Sequence, residues 1–223
     1  MEKLKKGDIV KFGSYPQNNG DVKEPIDWRV LEVNGDKALL VSCYGLDCKP
    51  FHNECVPTTW KNCSLREWLN HDFLETAFSA EERQQIETSE VVNDDLPMTE
   101  SLAEGGQQNE TSEVVNDNNG NTWDKVFCLS ITEAHNYFDY DNDKDAKDDK
   151  DDKDDKRRCK PTDWAKAQGV HSSNDGYCGW LLRSLNSNRD LVAIVYVDGK
   201  IHSNGYRFDV NDGAVRPALW IKN

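Results

Sequence analysis

Cysteine is the residue type in this chain with the greatest capacity for chemistry, and five candidate ligands crowd one stretch: Cys43, Cys48, His52, Cys55 and Cys63. Structural zinc sites pair their ligands at short separations, twice over. Here four, six and seven residues lie between successive cysteines, and no CxxC occurs. Buried, reduced thiols fit that spacing better than a zinc site or a disulfide. A nucleophilic thiol needs a base and an orienting group. Cys178 lies close in sequence to His171 and Asp175, and Cys159 follows Lys156-Arg157-Arg158, so either would be the candidate for a low-pKa thiol. Asp139, Asp141, Asp143 and Asp145 have the spacing of a calcium loop, but the loop glycine is missing and Lys150 stands where the bidentate Glu belongs. Phosphate loop, dinucleotide fingerprint, nucleophile elbow and HExxH are all missing. The sequence calls for no cofactor and no metal, and nothing in it demands an enzyme.

The stretch 179–221 has a different chemistry. Two apolar blocks, Trp180–Ser184 and Val215–Ile221, frame a run in which Val192, Ile194, Ile201, Phe208 and Val210 are separated by Asn, Ser, Asp, His, Tyr and Arg. A core has no use for so many polar side chains, so the pattern predicts a rigid sheet with a chemically mixed outer surface. Tyrosine and short polar side chains supply contact area and adaptable hydrogen bonds at low entropy cost, which is what recognition requires. The candidate ligand-binding residues are Asn186, Asn188, Arg189, Tyr196, His202, Ser203, Asn204, Tyr206, Arg207, Asp209, Asn211 and Asp212, with Ser187 among them in type. Tyr196, Tyr206 and His202 are the expected anchors. Arg183 and Arg216, embedded in the apolar blocks, are expected to act as structural latches paired with carboxylates or backbone carbonyls.

The elements that would position these residues are legible in part. Residues 8–12, 26–33 and 37–42 alternate as strands, and Asn34-Gly35-Asp36 marks a hairpin. Ser64-Leu65-Arg66-Glu67 and Ser79-Ala80-Glu81-Glu82 read as capping boxes opening two helices, and Ser130-Ile131-Thr132-Glu133 opens a third. In the first helix Leu65, Trp68, Leu69, Phe73 and Ala77 share a face, which should pack on a core. Lys125–Leu129 reads as a buried strand. Trp28, Trp68, Trp180 and Trp220 fall in apolar patterns and are expected in the core, whereas Trp60, Trp123 and Trp164 sit at element edges. Residues 87–94 recur as 110–117 with eight identities in eight, so 87–123 is expected to be a surface loop lengthened by duplication. Residues 139–156 hold ten Asp and five Lys with no apolar face, and read as a disordered, solvated insertion.

The 223 residues suit one domain, and the net charge of −14 disfavours nucleic acid and anionic membrane as partners. No export signal or membrane span is evident, and the odd count of seven cysteines argues against a secreted disulfide framework, so the expected location is cytoplasmic.

Several segments together resemble a bacterial domain family of unknown function that is common in gut-dwelling anaerobes. They are Gly7–Gln17, Ile26–Leu31, Tyr44–Pro50, Cys63–Asn70, Asp124–Ser130 and Val215–Ile221, and they cover nearly the whole chain outside the duplication and the Asp/Lys insertion. The C-terminal pattern in turn resembles the C-type-lectin-like fold of formylglycine-generating enzymes and of the variable proteins of diversity-generating retroelements. One departure is Gly179–Leu185, where family members often read Trp-Trp-Leu-Arg-Ser-Pro-Gly. The copper-binding cysteine pair of the formylglycine enzymes is not evident either, since Cys178 alone does not replace it. The resemblance implies a single α+β, C-type-lectin-like domain over 1–223, with N-terminal hairpins, two or three helices and a C-terminal antiparallel sheet. It implies a variable segment at 179–221, because all the candidate residue types are reachable from an asparagine codon by changing adenines. The expected function is binding of a protein or other macromolecular ligand. A cysteine-dependent enzyme of the formylglycine-generating kind and a structural or adhesion module are the alternatives.

Overall fold

A computed structural model describes residues 3–18, 20, 22–94, 120–139, 156–186 and 191–223. Its architecture is α+β, with sheets predominating over a few short helices. The N-terminal half begins with β1 (Ile9–Pro16), β2 (Lys23–Asn34) and β3 (Lys37–Ser42), each antiparallel to the one before. The β2–β3 turn is the expected one: Asn34 pairs with Lys37, and Gly35 takes φ +63°, a conformation open to glycine without strain. The short β4 (Asp47–Cys48) then leaves this sheet for a second one.

The helix after it runs as α1 (Ser64–Trp68), a π-helical segment Leu69–Phe73 and α2 (Leu74–Ala77). Its inward face is the expected one: Leu65, Leu69, Phe73 and Ala77 are buried and Trp68 half-buried. The cap is not. Cys63 precedes the first turn and its Sγ accepts from the Arg66 amide at 3.4 Å, while the Ser64 hydroxyl bonds His52 Nδ1 at 2.9 Å. The Ser79 box forms as predicted and opens α3 (Ala80–Gln85). The Ser130–Glu133 box opens α4 (Ile131–Asp139) through reciprocal bonds of 2.9 and 3.1 Å. A last helix, α5, covers Asp163–Ala167.

The first copy of the duplicated octapeptide enters the sheets instead of forming a surface loop. Ile86–Glu87 (β5) pairs with the C-terminal strand, and Ser89–Val91 (β6) pairs with β7 (Thr122–Asp124). The second copy, and all but the ends of the Asp/Lys insertion, lie outside the described residues. Lys125–Leu129 is also not a strand: only Phe127 bridges, to Ala218.

The C-terminal region splits in two. Trp180–Leu185 (β8), Leu191–Val195 (β9) and Ile201–Arg207 (β10) form an antiparallel meander, and Ala214–Val215 (β11) lies parallel to β8 and antiparallel to β4. Ala218–Lys222 (β12) leaves that sheet and inserts between β3 and β5, so the expected C-terminal sheet is completed by N-terminal strands. The strand orders are β1-β2-β3-β12-β5 and β10-β9-β8-β11-β4. One continuous apolar core joins both sheets, with Trp28, Trp60 and Trp180 among its largest buried side chains. Trp60 enters it because its indole N–H reaches the buried Asp124 at 3.0 Å, which gives the polar end of the ring a partner. Among the described residues, no helix is long and apolar enough to cross a membrane.

Candidate functional site

β10 is the outermost strand of the second sheet, and behind it lies a rigid support. Every residue of β8 is buried, and Val192, Ala193, Ile194 and Val195 of β9 are buried too. The β9–β10 turn is tied down at several points. Tyr196 N–H bonds the Lys200 carbonyl at 2.8 Å, Gly199 (φ +84°) donates to Tyr196, and Asp198 accepts from the Lys200 amide. Arg157 Nε donates to the Gly199 carbonyl at 2.7 Å and Arg158 Nε to Val197 at 3.1 Å. These two arginines, far away in sequence, fasten the turn that carries Tyr196.

On this frame the predicted residues separate into three groups. Tyr196 is 44% exposed and its ring meets His202 edge-on at 5.6 Å. His202, Asn204, Arg207, Asp209 and Asn211 are exposed as well, Ser203 and Asp212 are half-buried, and Arg207 pairs with Asp209 at 3.0 Å. That exposed pair contributes little to stability. It shapes the surface. The second group has turned inward. Tyr206 is half-buried against the core, its ring close to Gly213 and its hydroxyl close to Gly179. Burial, together with the charge of Asp212, pushes its phenol up to about 12. The Asp212 Oδ1 beside it is buried and has no hydrogen-bond partner. Asn186 is 4% exposed; its Oδ1 accepts from the Leu191 amide and its Nδ2 reaches Asn204 Oδ1 at 3.3 Å. Asn186 therefore braces the surface from within, and Tyr206 is held partly in the core. Asn188 and Arg189, the third group, lie outside the described residues, as does Ser187.

A β-bulge lies within β10, between His202 and Tyr206. His202 pairs with Ile194 but Tyr206 with Val192, so four residues of β10 advance against two of β9. The extra length arches out at Ser203–Gly205, where Gly205 packs against the Val192 carbonyl. The bulge was not legible, because alternation alone continues through it unbroken.

The two arginines of the apolar blocks do serve as latches. Arg183 is 3% exposed, binds both carboxylate oxygens of Glu133 and donates to the Cys128 and Val92 carbonyls. Arg216 donates to the Ser42 and Arg157 carbonyls, and its guanidinium faces the Trp180 and Phe138 rings at 4.9 and 5.2 Å.

The cysteines are free thiols, five of them buried. Cys159 and Cys178, separated in sequence, are bridge partners: the Cys178 amide donates to the Cys159 carbonyl at 2.8 Å. Burial pushes both thiols up. For Cys159 the adjoining Cys178 thiol and the Arg216 charge outweigh it and hold the thiol down at about 7, and Cys178 is driven upward in turn. Both are enclosed in the core. Asp175, one of the residues expected near Cys178, is instead engaged by Arg158 and Ser173. Cys43, Cys48, His52, Cys55 and Cys63 are dispersed in role, with Cys48 in β4, Cys63 capping α1 and His52 bonded to Ser64.

The exposed face and its support fall inside a segment that matches one family model. The chain belongs to the family described as Domain of unknown function (DUF6273), matched over residues 35–223. The DUF6273 match leaves β1 and β2 outside and takes in every residue of the face, together with both latch arginines. No curated protein and no solved structure matches the chain.

Proposed function

We propose that this DUF6273 domain is a recognition module that binds a protein or other macromolecular ligand through the outer side of β10 and the segment leading to Gly213. The observation that carries the reading is the exposed Tyr196–His202 pair beside a row of Asn204, Arg207, Asp209 and Asn211, mounted on a support in which all of β8 and Val192–Val195 of β9 are buried. Exposed aromatics on a rigid frame give contact area at low entropy cost, and the short polar side chains give directional hydrogen bonds. We infer in addition that the domain is a C-type-lectin-like scaffold whose 179–221 segment has been diversified. The support for this is the resemblance of its motifs, the segregation of buried apolar from exposed polar positions along β9 and β10, and the exposed residue types, all reachable from asparagine codons.

The test is capture of binding partners by the wild-type chain and by a Tyr196→Ala/His202→Ala/Asn204→Ala variant, with Lys166→Ala as a control on α5. Partners should be retained by the wild type and the control and lost by the triple variant at unchanged melting temperature. Equal capture by all three would remove the assignment of the face. Diversification is read from the flanking DNA, where a reverse transcriptase and a near-copy of the codons for 180–221 differing only at adenines are expected.

A further inference from the structure

A cleft of about 350 Å³ opens between the loop after β4, which brings Lys49 and Pro50, and the helix that follows, which brings Glu67, Trp68, His71 and Asp72. The helical wall departs from α geometry. The π-helical segment Leu69–Phe73 is inserted between α1 and α2, and it carries His71 and Asp72. π-Turns are rare and recur at functional sites. This one is braced: Asn70 Nδ2 donates to the Arg66 and Val126 carbonyls at 3.1 and 2.9 Å, and Asn70 Oδ1 accepts from the Lys125 and Val126 amides. His71 Nδ1 lies 2.9 Å from the Glu67 carbonyl. A carbonyl can only accept, so Nδ1 carries the proton and the ring is held in place. On the other wall Lys49 is half-buried, and its ammonium stands 5.3 Å from the Trp68 ring centroid. Among the described residues Lys49 makes no ion pair, although Glu67 and Asp72 line the same cleft, and neither of those carboxylates bonds another side chain.

Charges of both signs therefore share one cleft and stay beyond the roughly 4 Å of an ion pair. The ammonium forms a cationic pole beside the indole, and the two carboxylates form an anionic one on the helix. Trp68 and Pro50 supply apolar surface. A simple anion entering here meets two carboxylates, and a simple cation meets Lys49. A molecule carrying both charges complements both poles, and by displacing water it strengthens each contact. The volume lies at the low end of the roughly 300–1,000 Å³ of small-molecule pockets, which limits the ligand to a compact one. We propose that this cleft binds a free α-amino acid, with its carboxylate on Lys49, its ammonium on Glu67 and Asp72, and its side chain against Trp68 and Pro50. The site shares no residue with the β10 face and does not depend on that reading.

Melting temperatures of the full chain with each standard amino acid at millimolar concentration rank the candidates, and titration calorimetry measures the best of them. At least one should saturate, with affinity falling as salt is raised. Its N-acetyl derivative keeps the carboxylate and its amide keeps the ammonium. Each should bind about tenfold more weakly than the free amino acid, the scale of one lost charge-assisted hydrogen bond. Variants then separate the poles. Lys49→Gln should erase the advantage of the free amino acid over the amide, and Glu67→Gln/Asp72→Asn should erase its advantage over the N-acetyl form. Lys166→Gln should change nothing. A purely structural effect would weaken all three probes alike and leave those preferences intact. Glu67 and Asp72 are exposed, so their variant should melt with the wild type; if Lys49→Gln does not, the carboxylate variant alone decides. No saturation by any amino acid at millimolar concentration, equal affinity for either blocked form, or unchanged preferences in the variants would each overturn the proposal.

Discussion

Replacing Gly205 by alanine should loosen the recognition face, and the size of the effect follows from one close approach. A Cβ at position 205 would stand 2.6 Å from the Val192 carbonyl oxygen and 2.8 and 2.9 Å from the two Cγ atoms of Ile194. The first distance is about 0.8 Å short of the 3.4 Å at which such contacts become ordinary. The obstacle cannot recoil, since it is backbone of β9, and β9 is held on its other edge by the fully buried β8. The bulge of β10 must therefore lift away. Overpacking of this kind costs about 1–3 kcal/mol. Alanine recovers about 0.4–1 kcal/mol by restricting the unfolded chain. A net loss of about 1–2 kcal/mol should lower the melting temperature by roughly 2–8 °C in a chain of this size. Scanning calorimetry of Gly205→Ala measures it, with Gly20→Ala as the control, because a Cβ at Gly20 meets nothing within 4 Å. The control should melt with or slightly above the wild type. A Gly205→Ala protein as stable as the wild type would show that β10 does not press on β9 as described, and the rigid support for the face would fail with it.

Two further outcomes are expected. Tyr206→Ala should destabilise by about 2 kcal/mol, part of the cost of a fully buried aromatic, while Tyr196→Ala should cost less than about 0.5 kcal/mol; similar losses for both would contradict the inward turn of Tyr206. Burial pushes the Asp94 carboxyl up, but hydrogen bonds from Ser130, Ser184 and Thr132 together outweigh it and leave the group below the usual carboxylate range. A depressed folded value contributes stability that is complete above the unfolded pKa, about 3.9, and is lost as pH falls through the folded one. Urea midpoints measured downward from about pH 5 should therefore drop more steeply for the wild type than for Asp94→Asn; parallel curves would show that Asp94 carries no such linkage.

Local signals in the sequence match the structure wherever local physics decides the outcome. The Asn34–Asp36 hairpin, the Ser79 and Ser130 boxes and the inward face from Leu65 to Ala77 each depend on residues within a few positions of one another. The Ser64 box failed because His52, twelve positions away, claimed the serine hydroxyl and left the cap to Cys63. Lys125–Leu129 has the apolar run of a strand, but a strand needs neighbours along its length, and only Phe127 finds one. Trp60 looked like an edge residue until Asp124, sixty-four positions on, supplied a partner for its indole.

For the face itself, the sequence alone determined the alternation of apolar and polar residues from Val192 to Val210, and with it the prospect of a strand showing polar groups to solvent. That pattern follows from the twofold period of a strand. It also marked Arg183 and Arg216 as cations needing partners. Only the tertiary structure decided that Tyr206 packs half-buried against the core while Tyr196 and His202 stay exposed, and that Asn186 braces the sheet. It alone sent β12 into the N-terminal sheet, and it alone gathered Lys49, Glu67 and Asp72 around one cleft. The reason is one of range: periodicity and capping are properties of adjacent residues, whereas register, partner choice and the meeting of distant charges exist only once the chain has closed on itself.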